Sequence, residues 1–295
     1  MFPTTFSRAL VLAAALSLPF AGGCKTYTSG LAGATTSGDA AASTSMDAVK
    51  EMWSTNRSSA EGIQAVITAL EAIVAADAGN QEALILLARA NYFLADGFTT
   101  DLEAKKAGFE KGVTWGEAAM AADAAFKAQV DKGTKPADAV TALQKDDQMA
   151  IYWTASSLGK WARMSGFSTL VKYKGYVAKM MTHCLALDET AYYAGPVRYW
   201  GAFYAVAPGF AGGDMEKSRE FFEKAKSMNP EAFSTYVLYA DTYAVKAQDK
   251  ELFTSLLQHV IDASSDIIPD MIPEQDVEKA KAAALMAKIG DLFAE

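Results

Sequence analysis

The side chains best suited to chemistry in this chain are aromatic. Tyr152, Trp153, Trp161, Tyr192, Tyr199, Trp200, Tyr204, Tyr236, Tyr239 and Tyr243 recur at helical spacing, concentrated in what read as the first helices of successive helix pairs. A tyrosine joins an apolar ring to a hydroxyl that wants a partner. A groove walled by such rings suits an amphipathic guest: an acyl chain, a short organic acid or a peptide. Arg198, Lys160 and Arg163 stand beside these rings in the sequence, and a cation there can pair with a carboxylate. Each ring taken singly fits a helix core better than a wall, and each cation a solvated surface. The set as a whole carries the binding-wall reading.

The other reactive types lead nowhere comparable. His183 and His259 have no His or Cys three or four residues away, the spacing that shares a helix face. Cys184 falls on a small, core-facing position, as a structural thiol does. Phosphate-cradling glycine loops, nucleophile elbows and zinc-binding helix motifs do not occur. Gly212-Gly213-Asp214 reads as a turn and a helix N-cap. No catalytic set, metal site or cofactor is therefore expected, and the reading is non-enzymatic. The 295 residues carry a formal charge of −8, which gives no electrostatic case for nucleic acid or an anionic membrane surface.

The first residues set the compartment. Arg8 precedes the short apolar run 9–20, and Ala21-Gly22-Gly23 leads into Cys24. A basic start, an apolar stretch and small residues before a cut make a secretory signal over residues 1–23. The uncharged stretch 9–23 is shorter than the roughly 20 residues a spanning helix needs. The small residues before Cys24 resemble the bacterial lipobox, although Leu is commoner where Ala21 stands. That resemblance implies diacylglyceryl transfer to the Cys24 thiol and anchoring through its acyl chains. Lys25, where an Asp would resemble an inner-membrane retention signal, leans the expectation toward the outer membrane, facing the periplasm. Residues 24–46, rich in Ser, Thr, Gly and Ala, read as a flexible tether.

From residue 47 to 295 the pattern is helix after helix. Apolar residues keep a helical period, Pro136 is the only proline between Pro19 and Pro196, and no run alternates as a strand does. Helices are expected near 47–57, 60–76, 80–96, 101–131, 136–145, 147–164, 168–187, 190–206, 214–228, 231–246, 249–263 and 274–293. Within 214–230, small Ser218, aromatic Phe222, small Ala225 and Pro230 keep the offsets of a tetratricopeptide (TPR) second helix. Tyr199-Trp200-Gly201…Tyr204 and Tyr236…Tyr239-Ala240…Tyr243 follow the first-helix pattern. The expected fold is all-α, an irregular TPR-like solenoid of antiparallel helix pairs whose spacing departs from a strict 34-residue period.

Three stretches make a family resemblance specific: 152–166 (YWTASSLGKWARMSG), 192–225 (YYAGPVRYWGAFYAVAPGFAGGDMEKSREFFEKA) and 238–261 (LYADTYAVKAQDKELFTSLLQHVI). They resemble TatT, the TPR-like lipoprotein component associated with TRAP transporters. The resemblance implies an α-helical envelope lipoprotein paired with a TRAP-type periplasmic substrate-binding protein. It also implies an apolar channel or cleft that passes an organic acid or other apolar ligand, and assembly as a homo-oligomer, a trimer. A TPR scaffold for other envelope proteins, with no small-molecule role, is the alternative.

Overall fold

The computed structural model describes residues 24–36 and 44–293; the expected signal peptide and residues 37–43 lie outside them. Among the described residues the regular elements are all helices, and the protein is all-α. In chain order they are α1 (Met46–Asn56), α2 (Ala60–Ala76), α3 (Gln81–Phe93), α4 (Leu102–Ala121), α5 (Ala124–Asp131), α6 (Pro136–Ala139), α7 (Gln148–Met164) and α8 (Phe167–Leu187). After these come α9 (Ala191–Val206), α10 (Met215–Met228), α11 (Phe233–Tyr239), α12 (Val245–Ala247), α13 (Lys250–Asp262), α14 (Ile272–Met286) and α15 (Ile289–Leu292). Side-chain caps explain many starts. Ser45, Ser59, Asn80, Asp101, Asp214 and Asp249 each accept an amide N–H from the first turn they precede.

Where boundaries differ from expectation, a local cause is visible. The single helix expected over 101–131 is two, because Asp123 accepts the Phe126 N–H at 2.7 Å and starts α5 afresh. The helices expected over 80–96 and 231–246 each pass into a π-helical turn, Leu94–Phe98 and Ala240–Ala244. Such turns widen the ladder by one residue and re-aim the side chains beyond them.

Consecutive helices pack on each other, and the residues singled out for TPR-like packing are interior. Ser218, Phe222 and Ala225 are buried on α10. The Ser218 hydroxyl donates to the Gly201 carbonyl at 2.7 Å, and the Phe222 ring stacks on Tyr239 at 4.6 Å. The last long helix, α14, packs on α11 and α13 yet also reaches the start of the fold. Glu274 pairs with Arg57 at the end of α1 and Arg89 of α3. Lys281 pairs with Asp96 of the first π turn, as does Lys160 of α7. Val277 fills the space over Gly97. Residues 274, 277, 278 and 281 share one helical face, so α14 joins the first helices of the array to the last.

The expected tether also differs. Residues 24–36 lie on the helices rather than away from them. The Tyr27 ring meets Trp161 edge-on at 5.5 Å and Tyr173 at 5.2 Å, and its hydroxyl donates to Glu117 of α4 at 2.5 Å. Tyr27 and Leu31 are the large apolar side chains of that stretch, and both pack, half-buried, against the main core. Composition alone marked the segment as loose; one half-buried aromatic and one buried carboxylate hold its first part down.

Candidate functional site

A cleft of about 520 Å³ opens where α1, α3 and the start of α9 meet the segment leading into α14. Trp53, Arg57, Arg89, Tyr192, Tyr193 and residues 269–273 line it, and its size suits a small organic guest. The backbone beneath it is unusual. Tyr192, Tyr193 and Ala194 have φ of 46°, 55° and 58°. Three consecutive left-handed residues with side chains cost roughly 1–2 kcal/mol each, and such strain persists only where the surroundings over-determine it. Several contacts do so here. Arg198 donates to the Tyr193 carbonyl at 3.0 Å, and the Ala194 N–H donates to the Thr190 carbonyl at 3.2 Å. Gly195 lets the Tyr152 ring approach so closely that a Cβ would sit 2.7 Å from it. Tyr192 packs edge-on against Trp153 at 4.7 Å. The left-handed turn swings the Tyr192 and Tyr193 rings to the cleft mouth, before the regular part of α9 begins.

Charge crowds the mouth, where Arg57 and Arg89 meet Glu274, and Asp270 lines the same cleft. Arg57 Nε lies 3.2 Å and Arg89 Nη2 2.8 Å from the carboxylate of Glu274. Two guanidinium groups thus share one carboxylate. The Arg57 group is also spent on the Trp53, Ser54 and Asp270 carbonyls. Arg89 is freer. Its plane lies within 5.0 Å of the Trp53 ring centre, 5.2 Å of Tyr192 and 5.7 Å of Trp153. Its buried Nε–H finds no acceptor among the described residues. Burial raises the Tyr192 phenol above its ordinary pKa, so it stays neutral. A cation framed by three aromatic faces, with donor capacity to spare, can hold a carboxylate while the rings take an attached apolar body.

Of the aromatics predicted from sequence, Tyr192 lines this cleft, with Tyr152 and Trp153 packed directly behind it. The others are elsewhere. Trp161 is buried under Tyr27 and Tyr173. Tyr199, Trp200 and Tyr204 form a half-buried ladder with Phe203 and Phe221. Tyr236 stacks on His259 and donates its hydroxyl to the Pro230 carbonyl at 2.8 Å. Tyr239 is fully buried against Phe222, and Tyr243 packs on Tyr239. Arg198, expected to meet a guest's carboxylate, is buried and braces the left-handed turn, with Thr235 and Tyr152 hydroxyls each 3.4 Å away. Lys160 is engaged by Asp96, and Arg163 is exposed. His183 meets the Leu143 carbonyl at 2.9 Å, and burial pushes the Cys184 thiol up to about 12, as for a core thiol.

Sequence reasoning missed Trp53, Arg57, Arg89 and Glu274. They come from three distant stretches of the chain, on helices without repeat-like aromatic spacing: Arg89 of α3 lies over Trp53 of α1, and α14 adds Glu274 to Arg57 and Arg89. The Asn80-capped start of α3 gave no sign that Arg89 would point inward.

Comparison with known proteins agrees with the architecture. The family model described as the TRAP transporter T-component matches residues 59–293, which spans α2 to the end of α15. Among curated proteins none matches the chain. No helix among the described residues is long and apolar enough to cross a membrane. With the match running through the helical array from α2 onward, closing helix included, the chain belongs to the TRAP transporter T-component family.

Proposed function

We propose that this protein is a lipid-anchored envelope partner of a TRAP transporter's substrate-binding protein. It receives a carboxylate-bearing ligand in the cleft between α1, α3 and α9. The observation that carries the ligand reading is Arg89 in the cleft wall: aromatic faces frame it, and its Nε–H finds no acceptor among the described residues. An incoming carboxylate pairs with Arg89, and its apolar part lies against Trp53, Tyr192 and Tyr193. Family membership supports the transporter association. Anchoring rests on the lipobox-like sequence before Cys24, which is exposed. Docking of the binding protein and self-association as a trimer belong to the same reading.

Titration calorimetry with short mono- and dicarboxylates tests the cleft. The wild type binds one per chain, and Arg89→Met weakens binding at least about tenfold, the equivalent of 1.4 kcal/mol. Equal affinity in both proteins would remove the ligand role. Affinity purification from detergent-solubilised envelopes tests the partner, with a TRAP-type binding protein expected in stoichiometric amount.

The scaffold alternative draws on a different observation. Most of the predicted wall of rings is packed into the protein, whereas Phe210 and Val206 stand exposed beside the ladder of Trp200, Phe203 and Tyr204. A protein partner recovered from a chain that binds no carboxylate would favour that reading.

A further inference from the structure

The acceptor cysteine is not remote from the fold. Cys24 Sγ lies 3.7 Å from the Ser168 carbonyl oxygen, and the Lys25 amide donates to Thr169 Oγ1 at 3.1 Å. Both residues therefore lie along the first turn of α8. From there the chain is clamped to α4. The Tyr27 hydroxyl donates to one oxygen of buried Glu117, and the Ser29 hydroxyl and Gly30 amide donate to the other at 2.6 and 3.1 Å. Thr114 donates its hydroxyl to the Thr28 carbonyl at 2.6 Å. Gly30 makes the close approach possible, since a Cβ there would fall 1.8 Å from the Thr114 carbonyl oxygen.

The same end of the molecule leaves large apolar side chains uncovered. Phe167 and Val171, in the first turn of α8, are 64% and 53% exposed. Leu102, which opens α4, is 63% exposed. Lys25 lies by the first turn of α4, close enough for its charge to join that of Lys106 in acting on Glu103. Lys172 extends over the Tyr173 ring at 4.8 Å. Uncovered apolar side chains, flanking lysines and the acyl acceptor share one face, and that coincidence identifies what covers it.

We infer that the bilayer surface seats directly on the first turns of α4 and α8. Leu102, Phe167 and Val171 enter the boundary between headgroups and acyl chains beside acylated Cys24. The segment clamped by Glu117 fixes how the fold, and with it the cleft, is tilted to the membrane. The inference rests on the anchored reading of Cys24. It replaces a loose tether with a rigid attachment.

The test uses the mature lipoprotein in vesicles of phosphatidylethanolamine and phosphatidylglycerol. Nitroxide labels are placed at Val171→Cys and, as a control on α13, at Ser255→Cys; Cys184 is buried and escapes labelling. Intact mass comes first. An unmodified Cys24 overturns the anchored reading and the inference with it. With Cys24 acylated, vesicle binding raises the ratio of oxygen to nickel-chelate accessibility several-fold at 171 and leaves 255 unchanged. An acylated protein whose 171 label stays in water overturns the inference alone. So does a label shielded only after a TRAP-type binding protein is added. Gly30→Ala, which leaves the helices intact and lifts the clamp, returns the 171 label to water while the protein stays with the vesicles. Persistence of the label in the bilayer would refute the clamp.

Discussion

Replacing Glu274 by Gln tests both the closing helix and the cleft. The carboxylate sits between two guanidinium groups at 3.2 and 2.8 Å, and the Arg57 and Glu274 side chains are only 6% and 10% exposed. At an effective dielectric near 20, one such pair is worth about 4 kcal/mol of Coulomb attraction. Removing one partner of a buried pair costs about 3–5 kcal/mol, because the other charge stays behind. Arg57 keeps its backbone carbonyl acceptors, and Arg89 opens partly to the cleft. The loss for Glu274→Gln therefore falls at the low end, about 3 kcal/mol. For a domain of this size that lowers Tm by roughly 6–12 °C. Gln preserves the shape, so packing contributes little. The same change leaves two cations without their anion, and added carboxylate then restores part of the lost stability. Thermal and urea unfolding of the mature protein, with and without a short-chain organic acid, measures both effects. A loss below about 1 kcal/mol, the range of an exposed pair, would refute the buried triad. Failure of the variant to bind carboxylate more tightly than the wild type would refute the cleft electrostatics.

Ala194→Val places a β-branched residue at φ 58° in a fully buried position; its urea midpoint falls by the equivalent of about 2 kcal/mol or more. Arg198→Met removes the donor that holds the Tyr193 carbonyl, so amide exchange speeds up across 192–195 and stability drops by about 2 kcal/mol. Burial opposes ionisation of Asp96, but Lys160 and Lys281 outweigh it and hold the carboxyl well below its usual range. A depressed folded value contributes stability above the unfolded pKa of about 3.9 and loses it as pH falls further. The wild type thus loses that increment below about pH 4, and Asp96→Asn, measured by the same acid titration, lacks it. Phe210→Ser, at an exposed site, changes stability by no more than about 0.5 kcal/mol; under the scaffold reading it lowers recovery of the protein partner from solubilised envelopes, while carboxylate binding measured by calorimetry is unchanged.

Much of the helical architecture was legible in the residues. Asp214 announces a helix start because a short polar side chain satisfies amide donors the helix cannot. Ser218, Phe222 and Ala225 announce a packed face because a helix brings such offsets together. The break at Asp123 was equally available as a cap, but the unbroken helical period on both sides hid it.

The site was less legible. The ring spacing singled out Tyr192, which lines the cleft, yet the same spacing also serves a core, and Tyr239 and Trp161 serve it. Local pattern cannot separate the two uses, because both put a ring on the inner face of a helix.

The chain alone determined the class, the order of its elements and the family, since periodicity, caps and distinctive short motifs act between neighbours in sequence. Tertiary structure decided three things that depend on distant residues. The closing helix carries Glu274 more than two hundred residues from Arg57 to meet it. The left-handed turn at 192–194 exists because Arg198 and the Tyr152 ring hold it. And Tyr27, Ser29 and Gly30, soon after Cys24, converge on one buried carboxylate that no local pattern could pair with them.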